Sequence, residues 1–229
     1  MRVLTSFGPA GYGEYGKRFM QTFLANSDAD LWVYHEGQEP DLKDERIVYR
    51  NVMEVPGCRE FTSSCLPAAK GRGLLWQGRN YRFDVHRFCR KSFAQCDAAS
   101  DYDGLLYWID ADVEVTDRVV FPEFGSEFMQ YMGRPEWHSC ASFVGWDCGH
   151  PDSDNFWAAY YNIYTSGSVF VLPEWHDSYV LDWLRTNIGV SARDLAAGMH
   201  LKGPANVFDE VFTWGKHYKG NKKCIPEVH

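Results

Sequence analysis

The stretch Gly104–Val115, GLLYWIDADVEV, decides how the chain is read. Five apolar residues, Leu105 to Ile109, run without a break into Asp110, Ala111 and Asp112. A strand with one wet face alternates apolar and polar side chains. An unbroken run predicts a strand buried on both faces, as in a mostly parallel sheet covered by helices. Open α/β sheets hold their ligands outside the carboxyl ends of the strands, so the two carboxylates fall where such a sheet places its chemistry. Alternate residues of an extended chain point the same way, which lets Asp110 and Asp112 converge on one cation. Carboxylate oxygens suit hard ions such as Mg²⁺ or Mn²⁺, which commonly hold substrate phosphates as well. On these residues alone a second reading stands beside that one: a strand ending in acidic turn residues.

Outward from this strand the chain alternates. Arg2 to Phe7, Leu31 to His35 and Ile47 to Val52 read as strands, and Glu14 to Ala25 as a helix. The loop FGPAGYGEYG between the first strand and that helix suits either backbone approach to a nucleotide or a simple turn. Tyr81 to Cys96 reads as a helix beside the central strand. Its Arg87 and Lys91 are four apart and share a face, for phosphate binding or as a solvated surface. Pro56 to Asn80, with Lys70, Arg72 and Arg79, reads as irregular, either a mobile loop over a site or a surface excursion. Further on, the pattern predicts a helix around Phe124 to Met132, a strand at Ser142 to Trp146 and a polar loop from Asp147 to Asn155. A helix over Phe156 to Ile163, a strand at Val169 to Leu172 and a helix from Pro173 to Ile188 follow. The fold class is therefore α/β, with sequential parallel strands.

At 229 residues the chain is long enough for a full core, and without a Pro/Gly/Ser-rich linker it reads as one domain. Its 45% apolar and 16% aromatic content excludes disorder. The net charge of −8 argues against a broad nucleic-acid-binding face. Apolar runs are too short for a membrane span, and MRVLTSFG reads as a first strand rather than a signal peptide. Seven cysteines without C-x-x-C spacing suit reduced thiols and a cytoplasmic setting rather than a disulfide framework or zinc ligands. Cys148 with His150, on one polar loop, is too thin a ligand set for a metal.

Three stretches, in order, carry a resemblance: Asp110-Ala111-Asp112 after its buried strand, Ser166-Gly167, and His217-Tyr218-Lys219-Gly220-Asn221-Lys222-Lys223. Together they resemble glycosyltransferases of the A-type (GT-A) fold, whose donors are nucleotide sugars. The last stretch is similar to the H-x-x-G-x-x-K ending of the glycogenin-like branch. RFCRKSF before WIDADV, and YMGRP after it, resemble small phage and bacterial glycosyltransferases. The resemblance implies a Rossmann-like, mostly parallel central sheet, with a nucleotide-binding half at about 1–115 and an acceptor-side half at about 116–229. It implies that Asp110, Asp112 and His217 hold Mn²⁺ (or Mg²⁺) against the diphosphate of a UDP-sugar. Gly220 would let the backbone approach the phosphates, Lys223 would bind them, and Gly167 would line the sugar and acceptor side. Asp209 and Glu210 match the late acidic motif at the reacting centre, either being placed to act as base on the acceptor hydroxyl. Asp177 is a lesser choice of base, since helix capping explains it equally well. Thr165 before Ser166, and Asp-Glu in the late motif, depart from the glycogenin pattern, so stereochemistry stays open. So does the acceptor, whether glycan, protein or modified nucleobase. Two further readings share the scaffold: a sugar nucleotidylyltransferase and a non-catalytic nucleotide- or sugar-binding protein. Gly215 and Gly220 predict a tail from Gly215 to Lys223 that is loose without donor.

Overall fold

The computed structural model describes residues 1–64, 81–134, 136–199, 201 and 207–218. Its strands are β1 (Arg2–Phe7), β2 (Asp30–His35), β3 (Ile47–Asn51), β4 (Leu105–Ile109), β5 (Val113–Val115), β6 (Met129–Arg134), β7 (Trp137–Asp147), β8 (Ala192–Asp194) and β9 (Gly215–His217). The helices are α1 (Lys17–Asn26), α2 (Val85–Ala99), α3 (Ser153–Thr165), α4 (Asp177–Ile188) and α5 (Val207–Val211). Seven strands form one sheet in the order β3-β2-β1-β4-β7-β6-β8. Its neighbours are parallel except β7, which runs antiparallel to both β4 and β6.

The apolar run of β4 has the environment its composition demands. Leu106 and Trp108 face one core, where Cys89 and Phe93 of α2 pack with Phe156 and Tyr160 of α3. Tyr107 and Ile109 face the other, with Phe19 and Phe23 of α1 and Phe143 of β7. Alternate residues thus reach opposite cores, and both must be apolar. No helix among the described residues is long and apolar enough to cross a membrane.

Several local expectations are corrected. The segment around Phe124–Met132 is not helical: Phe121 and Phe124 lay their rings against Tyr107 at 4.7 and 6.0 Å, and from Met129 the chain is drawn into β6 by pairing with β7 and β8. Tertiary pairing overrides a helical pattern here. Val169–Leu172 is not a strand. Gly167, at φ +75, turns the chain out of α3 into a short 3₁₀ turn, Ser168–Val171, which buries Val169 and leaves Val171 exposed. Within the polar stretch Asp147–Asn155, α3 already begins at Ser153. Helix α4 starts at Asp177 rather than Pro173, because the His176 ring accepts from the Tyr179 N–H and caps it there. The first helical segment opens earlier than Glu14, with a turn at Pro9–Gly11 and a π-helical turn at Tyr12–Gly16. Residues 58–64 are helical, not irregular; Lys70, Arg72 and Arg79 lie outside the described residues.

Candidate active site

Where β4 ends, the backbone turns tightly. Asp110 N–H donates to the Ser142 carbonyl at 2.9 Å and Val113 N–H to the Asp110 carbonyl at 3.1 Å, so Asp110 and Asp112 flank a turn that leads into β5. Strand β5 pairs antiparallel with β9 in a separate two-stranded sheet that sets Val113 opposite His217. This ladder brings His217 to the aspartates. His217 Nε2 lies 3.0 Å from Asp112 Oδ1, and Tyr218 N–H donates to the Asp112 carbonyl at 3.0 Å. Asp209 on α5 accepts the His217 N–H at 2.8 Å and fixes the strand from its other side. One ligand atom from each of Asp110, Asp112 and His217 lies within 4.8 Å of the other two.

Burial alone would depress the basicity of His217. The hydrogen bond to Asp112, a further one to Cys140 and the two aspartate charges outweigh it and push the ring up to about 9. Two carboxylate oxygens and one imidazole nitrogen make a donor set suited to a Mn²⁺-class ion, once the ring has given up its proton.

The other aspartate has a different partner. Lys91, buried on α2, places Nζ 2.9 Å from Asp110 Oδ1, 2.8 Å from Asp177 Oδ2 and 2.6 Å from the Ala141 carbonyl. These contacts use all three ammonium protons. Burial would pull Lys91 down, but the charges of Asp110 and Asp177 prevail and hold it protonated, well above its ordinary range. Burial likewise pushes Asp177 up and is outweighed by Lys91, so its carboxyl stays below the usual value. The Trp108 indole N–H donates to Asp110 Oδ1 at 2.6 Å. Asp110, Asp112 and Asp177 all line one cavity of about 160 Å³, which also meets Ser6 and Gly8 at the carboxyl end of β1. A larger cavity, about 790 Å³, lies by Asp103 and Cys148, at the start of β4 and the end of β7. Among the described residues it holds no group of three His, Cys, Asp or Glu side chains close enough to share an ion, so size does not decide the site.

No family profile and no curated protein matches the sequence. Solved structures do match in shape. The galactosyltransferase LgtC, in complex with donor and acceptor sugar analogues, aligns over 96% of this chain and 88% of its own with a TM-score of 0.52 and 12% identity. The apo glycosyltransferase GlyE of Streptococcus pneumoniae TIGR4 aligns over 96% of this chain and 54% of its own, with a TM-score of 0.52 and 12% identity. The fold is that of the A-type glycosyltransferases. At 12% identity these likenesses speak to the A-type fold alone.

Within the A-type fold the sequence-predicted residues fall out as follows. Asp110, Asp112 and His217 come together. Arg87 is exposed and lines the same cavity, whereas its partner Lys91 is buried and occupied by carboxylates. Asp209 reaches the site through the backbone of His217, and Glu210 beside it is exposed. Gly167 closes α3 and is not among the described residues that line the cavity. Gly220 and Lys223 lie outside the described residues. The stretch Gly215–His217, expected to be loose, is a paired strand with Gly215 and His217 buried. Gly215 serves close packing there, since a Cβ would meet Phe208 at 3.1 Å and the Glu114 carbonyl at 3.3 Å.

Sequence reasoning underrated Asp177, which joins the site through Lys91. His176 is the cap; Asp177, one residue on, takes the Ser178 N–H on Oδ1 at 2.9 Å and gives Oδ2 to Lys91. The available signal was an acidic residue in an apolar, aromatic setting, EWHDSYV. Trp108 was missed too, although period-two alternation puts it on the same strand face as Asp110.

Proposed function

We propose that this chain transfers a sugar from a nucleotide-sugar donor, a UDP-sugar, to an acceptor hydroxyl. The single observation that carries the reading is the convergence of Asp110, Asp112 and His217 within 4.8 Å, at the carboxyl end of a central strand of an A-type sheet. A nucleoside diphosphate leaves poorly unless its new charge is neutralised, and a bound divalent cation, Mn²⁺ foremost, supplies that neutralisation. Asp110, Asp112 and neutral His217 hold it. Arg87, exposed at the cavity, meets a phosphate, and Lys223 with the Gly220 backbone meets the others. Lys91 is a positioning residue that aims Asp110 and Asp177 and keeps Asp177 ionised. Asp177, whose carboxylate lines the cavity, is the group that faces the sugar and the incoming hydroxyl, and Asp209 anchors His217. Residues to about 115, with the returning tail from His217, hold the donor; the others from about 116 shape the acceptor side, Gly167 included.

Calorimetry of UDP with and without Mn²⁺ tests the reading, followed by assay of UDP release from a panel of UDP-sugars. UDP is expected to bind much more tightly with Mn²⁺ in the wild type and equally with or without it in Asp112→Ala. Equal, metal-independent binding in both proteins would overturn the proposal.

A further inference from the structure

We propose a second metal-binding site, formed by His138, Glu174 and His176, that takes a borderline transition ion of the zinc class. It lies outside the aspartate cluster and does not rest on the glycosyl-transfer reading. His138 stands near the start of β7, and Glu174 and His176 on the segment entering α4. Glu174 Oε2 is 2.8 Å from His176 Nε2 and 3.4 Å from His138 Nε2. One ligand atom from each of the three lies within 4.8 Å of the others. A tetrahedral zinc with bonds of about 2.0–2.1 Å holds its ligand atoms about 3.4 Å apart. The His138–Glu174 pair at 3.4 Å already has that spacing, the Glu174–His176 pair at 2.8 Å must open, and the two rings, within 4.8 Å of each other, need only side-chain rotation to close.

The donor chemistry separates this site from the first. Two imidazoles and one carboxylate favour zinc over magnesium or calcium. The carboxylate is already aimed: the Arg82 guanidinium takes Glu174 Oε1 at 3.1 Å and leaves Oε2 to the rings, the outer support that ligating carboxylates usually have. His138 is 36% exposed at its side chain, against 6% for His176, so the fourth position opens to solvent on the His138 side. Three protein ligands and one open position are the arrangement in which zinc keeps an exchangeable water.

One contact opposes binding. His176 Nδ1 accepts the Tyr179 N–H at 3.4 Å, and a neutral ring bound through Nε2 carries its proton on Nδ1. That cap must open. At 3.4 Å it is near the limit of a hydrogen bond, and a metal–imidazole bond outweighs it. The site also borders the aspartate cavity. The His176 ring is 6.2 Å from that of Phe88, a cavity residue, and Asp177 is the next residue in the chain.

The test uses the full chain, stripped with a chelator and titrated with Zn²⁺ against a chromophoric indicator. The wild type is expected to bind about one equivalent more than His138→Ala, with affinity at that equivalent lost by at least about 100-fold, the upper end of what losing a mere outer partner costs. Asp112→Ala should retain this equivalent. Co²⁺ should give the wild type an intense visible band of tetrahedral type, absent from His138→Ala. Melting in chelator shows whether His138→Ala is folded, and Glu174→Gln repeats the comparison with shape preserved. Equal stoichiometry and affinity in wild type, His138→Ala and Glu174→Gln would overturn the site and leave a carboxylate hydrogen-bonded between two histidines.

Discussion

The two aspartates of the D-A-D turn sit two residues apart and are served by opposite kinds of partner. Asp110 belongs to a buried network with Lys91 and Asp177, drawn from β4, α2 and α4. Asp112 belongs to a pair with His217, delivered by the short ladder of β5 and β9. A lysine whose protons are all engaged is a permanent cation. A histidine held at about 9 is a cation that gives up its proton when something better arrives. One half of the site is therefore fixed charge, and the other is an exchangeable position that a divalent ion can take over.

The comparison breaks most forcefully at Lys91. Lys91→Met leaves the buried Asp177, and the half-buried Asp110 beside it, without their counter-charge and should cost about 3 kcal/mol of stability. Urea denaturation reads the loss; a cost under about 1 kcal/mol would show that water already reaches the network.

Removing the exchangeable partner should act on metal more than on folding. His217→Ala is expected to weaken Mn²⁺ binding by at least about 100-fold, the upper end of what losing an outer partner costs, read by manganese paramagnetic resonance. An unchanged affinity would mean that the ion is held by carboxylates alone.

Acidity sharpens the contrast. The ordinary histidine value of 6.5 is raised to about 9 in the folded, metal-free protein. The His217–Asp112 pair therefore contributes stability fully below pH 6.5 and loses it as pH rises through about 9. Mn²⁺ affinity should move the other way, rising over the same window as the proton departs. Melting curves and metal titrations from pH 6 to 9.5 check both signs. Parallel trends would exclude competition between proton and metal. The Lys91 side should be flat throughout, since Lys91 is raised further and Asp177 is lowered.

The smallest effect is expected at Asp209. Asp209→Asn keeps an oxygen for the His217 N–H and loses only the charge assistance, worth on the order of 1 kcal/mol. Tyr218 amide exchange, which reports the end of the ladder, should quicken modestly. A collapse of metal binding instead would give Asp209 a direct part in the site.

The central strand and the D-A-D turn were legible because each rests on a local signal with one physical cause, whereas His217 was reached through the resemblance of its H-x-x-G-x-x-K stretch. Leu105–Ile109 is apolar throughout since both its faces are covered, and the D-A-D turn follows it directly. The Lys91 network was not legible as such. Arg87 and Lys91 look equivalent on a helical wheel, but which of them is buried depends on how α2 lies on β4, and sequence spacing carries no trace of that. Asp177 was obscured for the same reason, its partner being far away in the chain. The misread segments are Phe124–Met132, a mixed stretch, and Val169–Leu172, a short apolar run. For these, pairing partners and a single left-handed glycine decide the outcome.

The β5–β9 ladder imposes an order of assembly. More than a hundred positions separate Asp112 from His217, so the third ligand is the last to arrive as the chain is synthesised. Closing a loop that long carries an entropic cost that the small ladder and the Asp209 anchor must offset together. Until then a nascent chain offers an ion only a pair of carboxylates, one already held by lysine. On the proposed reading, ion capture would report on completed folding: a chain that misplaces β9 would keep most of its core but not retain the ion.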